Sequence, residues 1–175
     1  MYEIRIHSRG GQGGVTAAKL IALAAFRDGK YATAFPFYGA ERRGAPVVSF
    51  VRIDDHPIKI YSQIKRPDLI LVLDASIMDS VDVLQGIKPE GTVLLNSSKP
   101  YDMKGHRTYE VDLTGIALRE NLIVAGSPIL NTPVLGALAK MGVITIDSVK
   151  KAIGEMFSDP RNTKAAEGAY QEMKI

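Results

Sequence analysis

Two hydrophobic periods alternate along this chain, and their order predicts the architecture. Residues 2–7 alternate polar and apolar, with Ile4 and Ile6 on one side, as in a strand buried on one face. Four glycines then fall within residues 8–14. Residues 15–26 are rich in Ala, Leu and Ile with no breaker, which predicts a helix. Asp28 and Gly29 close it, since glycine suits the left-handed exit from a helix. Residues 31–37 read as a second strand. Residues 47–53 and 58–61 read as a β-hairpin across a four-residue polar turn, 54–57. Residues 69–73 are wholly apolar, which suits a central parallel strand covered on both faces.

The rest of the chain turns helical. Residues 74–85 predict a helix, 92–95 and 108–111 two short strands, and 132–141, 147–157 and 161–173 three helices, with Asp147 capping the second. The expected fold is α/β: three layers, a mostly parallel sheet flanked by helices, a Rossmann-like start and an inserted antiparallel hairpin. Residues 1–175 are expected to form one domain of this type. Between residues 15 and 26 only Thr16 and Lys19 are polar, so that helix is apolar nearly all round. Its outer face should be covered by another chain or another layer.

Composition narrows the chemistry. The chain has 175 residues, 46% of them apolar, enough for a proper core. It has no cysteine, which excludes disulfides, thiol nucleophiles and iron–sulfur clusters held by this chain. Its three histidines, His7, His56 and His106, lie far apart, so no metal site is expected. A net charge of +3 gives little reason to expect nucleic acid. No stretch is long and apolar enough to span a membrane, and the first residues lack the apolar core of a signal peptide. A cytoplasmic location is therefore expected.

A glycine loop between a first strand and a helix is where α/β proteins place phosphates, because unpaired helix N–H groups face the ligand there. The dinucleotide fingerprint G-x-G-x-x-G laid over residues 8–13 puts Ser8 at its first glycine. The ribose-binding carboxylate is missing, with no acid after the second strand until Glu41. Gly10, Gly11, Gln12 and Gly13 thus fit either a tightly packed strand-to-helix turn or an anion contact. Further on, Phe35, Phe37 and Tyr38 precede Glu41, Arg42 and Arg43 in a loop punctuated by Gly and Pro. Aromatics with arginines are enriched in interface cores, and paired arginines can clamp a phosphate or carboxylate. No catalytic constellation surrounds Ser97, Ser98 or the histidines, and no catalytic residue is assigned.

Three segments carry a family resemblance. They are Ser8-Arg9-Gly10-Gly11-Gln12-Gly13 followed by Val15-Thr16-Ala17-Ala18, then Tyr38-Gly39-Ala40-Glu41-Arg42-Arg43-Gly44, then Asn131-Thr132-Pro133-Val134-Leu135-Gly136-Ala137-Leu138. Together they resemble the gamma subunit of pyruvate/2-oxoacid:ferredoxin oxidoreductases, the pyruvate synthase family. Ser8 and Ala45 depart from that pattern, which usually has glycine at both positions. The resemblance implies a complex that converts a 2-oxoacid to its acyl-CoA and passes electrons to ferredoxin. Thiamine diphosphate, Mg and [4Fe–4S] clusters would then sit in other subunits, with coenzyme A shared, and no cofactor would be bound by this chain. It would be inactive alone, assembling with the other subunits and reaching ferredoxin indirectly. Separately, the apolar surface of residues 15–26 and the aromatics at 35–38 predict that the chain self-associates, as in a homodimer, or co-purifies with partners. Its cofactor-binding or interface residues would be Gly10, Gly11, Gln12, Gly13, Tyr38, Glu41, Arg42, Arg43 and Asn131. The alternatives are a free-standing Rossmann-type reductase and the corresponding subunit of a 2-oxoglutarate or indolepyruvate enzyme. The glycine loop and the aromatic–arginine loop both follow strands, so both are expected at one edge of the sheet.

Overall fold

The computed structural model describes residues 1–37 and 44–175. Its elements run β1 (Tyr2–Arg9), α1 (Gly14–Arg27), β2 (Tyr31–Phe37), β3 (Pro46–Asp54), β4 (Leu69–Val72), a 3-10 turn (Ala75–Asp79), β5 (Thr92–Asn96) and β6 (Arg107–Val111). Then follow α2 (Leu113–Arg119), a small hairpin of β7 (Ile123–Val124) and β8 (Ser127–Pro128), α3 (Pro133–Lys140), α4 (Ile146–Met156) and α5 (Arg161–Glu172). Six strands form one sheet in the order β2-β3-β1-β4-β5-β6. β1, β4, β5 and β6 are parallel, and β3 runs antiparallel to both β1 and β2. The α/β class and the mostly parallel sheet are as expected.

The alternation in β1 decides what lies on each face. Ile4 and Ile6 point into a large apolar core with Leu69, Leu71, Leu94 and the helices. Burying each such side chain stabilises the fold by about 1.5–3 kcal/mol. Arg5 and His7 point to the opposite face, where Ile70, Val72, Val93 and Leu95 form a smaller core with Ile77, Val83 and Met103. The layer on that side is made of the 3-10 turn and irregular chain, not long helices.

α1 is covered by a layer of its own chain. It packs on β2 and β3 beneath and on α4 outside. The question of chain or layer is thus answered by the layer, and only Phe26, 61% exposed, keeps a large apolar side chain in water. The helix buried all round is instead α3, whose residues from Pro133 to Ala139 are all buried. Gly136 explains how: a Cβ there would lie 1.8 Å from the carbonyl oxygen of Ala166, so α5 rests directly on α3.

Several expected elements need correction. Residues 58–61 are not a strand, so the hairpin partner of β3 is β2. Both edges of β3 are occupied, by β1 and β2, which leaves no place for a further strand. Residues 74–85 form the 3-10 turn and further turns rather than one helix. Here Asp82 accepts from the Leu84 N–H and Arg5 donates to the carbonyls of Val83 and Gln85, so side chains take up helix-forming backbone groups. The cap of α4 is Thr145, whose hydroxyl oxygen accepts from Ser148 N–H, while Asp147 sits inside the first turn. α2 and the β7–β8 hairpin were not anticipated; Asp112 caps α2 by accepting from Gly115 N–H. No described helix is long and apolar enough to cross a membrane.

Candidate functional site

The glycine loop joins β1 to α1 through backbone conformations that side chains resist. Gly11 and Gly13 have φ of 96° and 88°, in the left-handed region that favours glycine. At Gly13 there is a second constraint, since a Cβ would approach Asn131 Cβ to 3.0 Å. At Gly14 a Cβ would lie 2.1 Å from the Ser8 hydroxyl oxygen. Close packing therefore accounts for these two glycines.

Gln12 and Arg9 pin the loop from its other side. Gln12 accepts from Arg9 N–H at 2.7 Å and donates to Asp74 Oδ2 at 2.9 Å. Arg9 donates to the Ser76 hydroxyl and to the Gly44 carbonyl, and lies 3.4 Å from Asp74. Burial pushes the Asp74 carboxyl up, but hydrogen bonds from Ser76 and Gln12 and the Arg9 charge outweigh it and hold it below the ordinary value. The backbone adds two ties, Gly10 N–H to Ala45 O at 2.9 Å and Gly44 N–H to Gly10 O at 3.1 Å. The end of the aromatic–arginine loop is thereby fastened to the glycine loop. Gly44 and Ala45 thus lie beside the glycine loop at the carboxyl end of β1.

Beside this junction lies a cavity of about 590 Å³. Gly13, Gly14, Val15 and Thr16 form one wall, with Asn131. The first N–H groups of α1 have no intrahelical partner, and Gly13 supplies no capping side chain. Asn131 is 6% exposed, and its Oδ1 has no hydrogen-bond partner. Arg161 reaches the cavity too, but its charge is met by Asp159 through hydrogen bonds of 2.8 and 3.0 Å. The α1 N–H groups offer donors and Asn131 Oδ1 an unused acceptor, so a group that both accepts and donates hydrogen bonds suits this mouth. Among the described residues, no group of three or more His, Asp or Glu is arranged to hold a metal ion.

Of the residues singled out by sequence, Gly10, Gly11, Gln12, Gly13 and Asn131 come together here. Tyr38, Glu41, Arg42 and Arg43 lie outside the described residues. The wall from β7, with exposed Ile123 and Val124, and the Asp159–Arg161 pair were missed. Only the packing of distant segments brings them to the glycine loop, and no local pattern marks them.

The family model for pyruvate ferredoxin/flavodoxin oxidoreductase matches residues 3–172. The chain belongs to that family. A pyruvate synthase subunit PorC from Methanocaldococcus jannaschii is 51% identical over 99% of this chain and 97% of its own length. A common gamma subunit of pyruvate/ketoisovalerate oxidoreductases from Thermococcus kodakarensis is 50% identical, over 100% and 98%. In structure, the Thermotoga maritima pyruvate oxidoreductase subunit PORC superposes with a TM-score of 0.82 at 35% identity, over 99% of this chain and 97% of that one. Within the oxidoreductase family the three sequence segments now have physical meanings. The first is the packed turn at α1, the second is anchored to it at Gly44, and the third supplies Asn131 and the buried helix α3.

Proposed function

We propose that this chain is the gamma subunit of a 2-oxoacid:ferredoxin oxidoreductase, with pyruvate as the favoured substrate of the complex. The observation that carries the reading is about 50% identity along essentially the whole length of subunits named for pyruvate synthase and pyruvate/ketoisovalerate oxidoreductases. The complex oxidatively decarboxylates the 2-oxoacid to its acyl-CoA. Thiamine diphosphate, Mg and the clusters belong to other subunits in this reading; the absence of cysteine here supports that for the clusters. The chain forms one domain, acts in the cytoplasm, and works only when assembled.

Its contribution is the end of β1 where the glycine loop, Asn131 and the Gly44–Ala45 segment come together. In this reading the unpaired first N–H groups of α1, with Arg42 and Arg43 from the loop that ends at Gly44, serve one anion. That anion is a carboxylate of a partner subunit or a phosphate of coenzyme A, with the partner contact favoured. Removing one side of a buried charge-assisted contact costs about 2–5 kcal/mol. Arg42→Ala and Arg43→Ala, made separately in the co-expressed complex, should therefore weaken assembly by roughly thirtyfold or more, or raise the coenzyme A requirement. Both variants assembling and turning over like the parent across a coenzyme A titration would remove this role. An isolated chain that itself oxidises pyruvate would overturn the subunit reading.

A further inference from the structure

On the sheet face away from α1, three arginines project from neighbouring strands: Arg5 and Arg9 from β1, and Arg52 from β3. Arg52 has Glu3 at 2.8 Å, and Arg9 has Asp74 at 3.4 Å. Arg5 differs. It is 8% exposed, and it donates to His7 Nε2 at 3.2 Å and to the carbonyls of Val83 and Gln85 at 2.9 and 2.6 Å. No carboxylate forms an ion pair with it among the described residues; Asp82 acts on it only from beyond that range. Buried charges are ordinarily paired, because the interior repays their lost hydration poorly. A guanidinium with no counterion among the described residues calls for a partner in this position.

The space for one is present. Arg5 and His7 line a groove of about 620 Å³ whose other walls include Phe37, Val48, Phe50 and Ile64. Because His7 Nε2 accepts from Arg5, its proton sits on Nδ1. Neither that Nδ1–H nor Arg5 NH1 has an acceptor among the described residues, so two donors at the groove are unused. The wall is rigidly built: at Gly86, φ +73°, a Cβ would lie 2.2 Å from the Lys65 carbonyl oxygen, so the segment carrying Ile64 and Lys65 rests directly on that turn.

We propose that this groove is a carboxylate-binding site, in which Arg5 NH1 and His7 Nδ1–H take the two oxygens and the aromatic and aliphatic walls hold an apolar body. The charge balance selects a monoanion. Among the described lining residues Arg5 and Lys65 bring two positive charges and Asp82 one negative, a net +1, so a dianionic phosphate would face Asp82 uncompensated. Burial first, and then the Arg5 charge, push the His7 pKa down to about 4, so its ring is neutral near pH 7 and donates a single hydrogen bond. The carboxylate comes either from a side chain or chain end of a partner subunit or from a free organic acid.

The test uses the full chain with histidine labelled for NMR, and phenylacetate as the probe. Phenylacetate should shift the His7 ring signals saturably, and the uncharged phenylacetamide should bind roughly tenfold more weakly or worse. Arg5→Gln should lose the response by a similar factor; if that variant does not fold, the acid–amide comparison decides alone. Equal binding of acid and amide, or no saturable response of His7 to phenylacetate, overturns the proposal. A second arm rests on the subunit reading above and separates the sources. If phenylacetate no longer shifts His7 in the assembled complex, a partner's carboxylate fills the groove; if it still does, the ligand is a free acid. A failure of assembly itself bears on the subunit reading, and leaves the result with the isolated chain standing.

Discussion

The two faces of the sheet are held by different physics, although they share the same strands. On the helix face, Ile4, Ile6, Leu69, Leu71 and Leu94 meet α1, α3 and α4 in one continuous apolar core. Its buried polar residues, such as Ser49, Thr132 and Ser148, are small and uncharged, and its closest approach is glycine against backbone at Gly136. On the other face a few aliphatic residues share the surface with Arg5, His7 and Arg52, all less than 9% exposed. There the irregular layer is fastened by guanidinium groups to carbonyls: Arg5 to Val83 and Gln85, Arg52 to Ile60. The first face should respond to changes of volume, and the second to changes of charge and pH.

The largest effect belongs to the helix face. Gly136→Ala sets a methyl group against the Ala166 backbone, which no rotamer change can relieve, and α3 and α5 must part. A loss of about 4 kcal/mol or more is expected, read as a fall in the urea midpoint or as failure to fold. A variant as stable as the parent would show that this layer yields to volume. The opposite face should reveal itself on acidification. The folded pKa of His7, about 4, lies below the ordinary value of 6.5, because of burial and then Arg5. Protonation thus favours the unfolded chain: this stability is complete above about pH 6.5 and is lost as pH falls towards 4. At most about 3 kcal/mol is at stake, and His7→Asn should flatten the stability profile across that window.

Arg52→Met tests the same face with a smaller change. The methionine keeps part of the apolar body that lies beside Phe35, with the guanidinium carbon now 5.6 Å from the ring centroid. It gives up the ion pair to Glu3 and the bond to Ile60 O. Glu3 remains partly solvated and so is not stranded, and a loss of about 2 kcal/mol is expected in denaturant titrations. An unchanged midpoint would mean that apolar packing holds both faces.

The same division explains what the sequence disclosed. Apolar periodicity marks a face that packs, and it located β1, α1, β4 and the last three helices within a residue or two. It says nothing of how polar side chains are used. Ile58 and Ile60 alternate like a strand, but β3 has no free edge, and Ile60 instead offers its carbonyl to Arg52. Residues 74–85 carry helix-like apolar spacing, yet Asp82 and Arg5 take the backbone groups a helix needs. Arg5 and His7 occupy the polar positions of an alternating strand, which reads as a wet face, and both are buried. At the candidate site, Asn131 was marked only by the family resemblance, and the structure adds that Gly13 packs against it. The Asp159–Arg161 wall had no such marker, since it arrives from the far end of the chain.

The helix layer has polar fastenings as well, among them Arg27 to Glu155 and Lys150 to Glu167, and the one at Asp28 gives the finest test of the contrast. Asp28, at the carboxyl end of α1, accepts from Thr145 N–H at 2.8 Å and from the hydroxyls of Thr145 and Ser148 at 2.5 and 2.6 Å. It thereby ties the exit of α1 to the start of α4. Burial pushes its carboxyl up, but the bonds from Ser148 and Thr145 outweigh that and hold it below the ordinary value. The stability it contributes is present above the ordinary carboxylate pKa and is lost as pH falls through the lowered one. In Asp28→Asn one amide oxygen still accepts, while the amide nitrogen faces a hydroxyl that must turn to receive it. The three bonds are partly solvated, and the apolar contacts between α1 and α4 remain. A loss of about 1 kcal/mol is therefore expected, with hydrogen exchange faster mainly at the amides of α4. A loss approaching that of Gly136→Ala would break the contrast, because the helix layer would then depend on a polar clamp as much as the opposite face does.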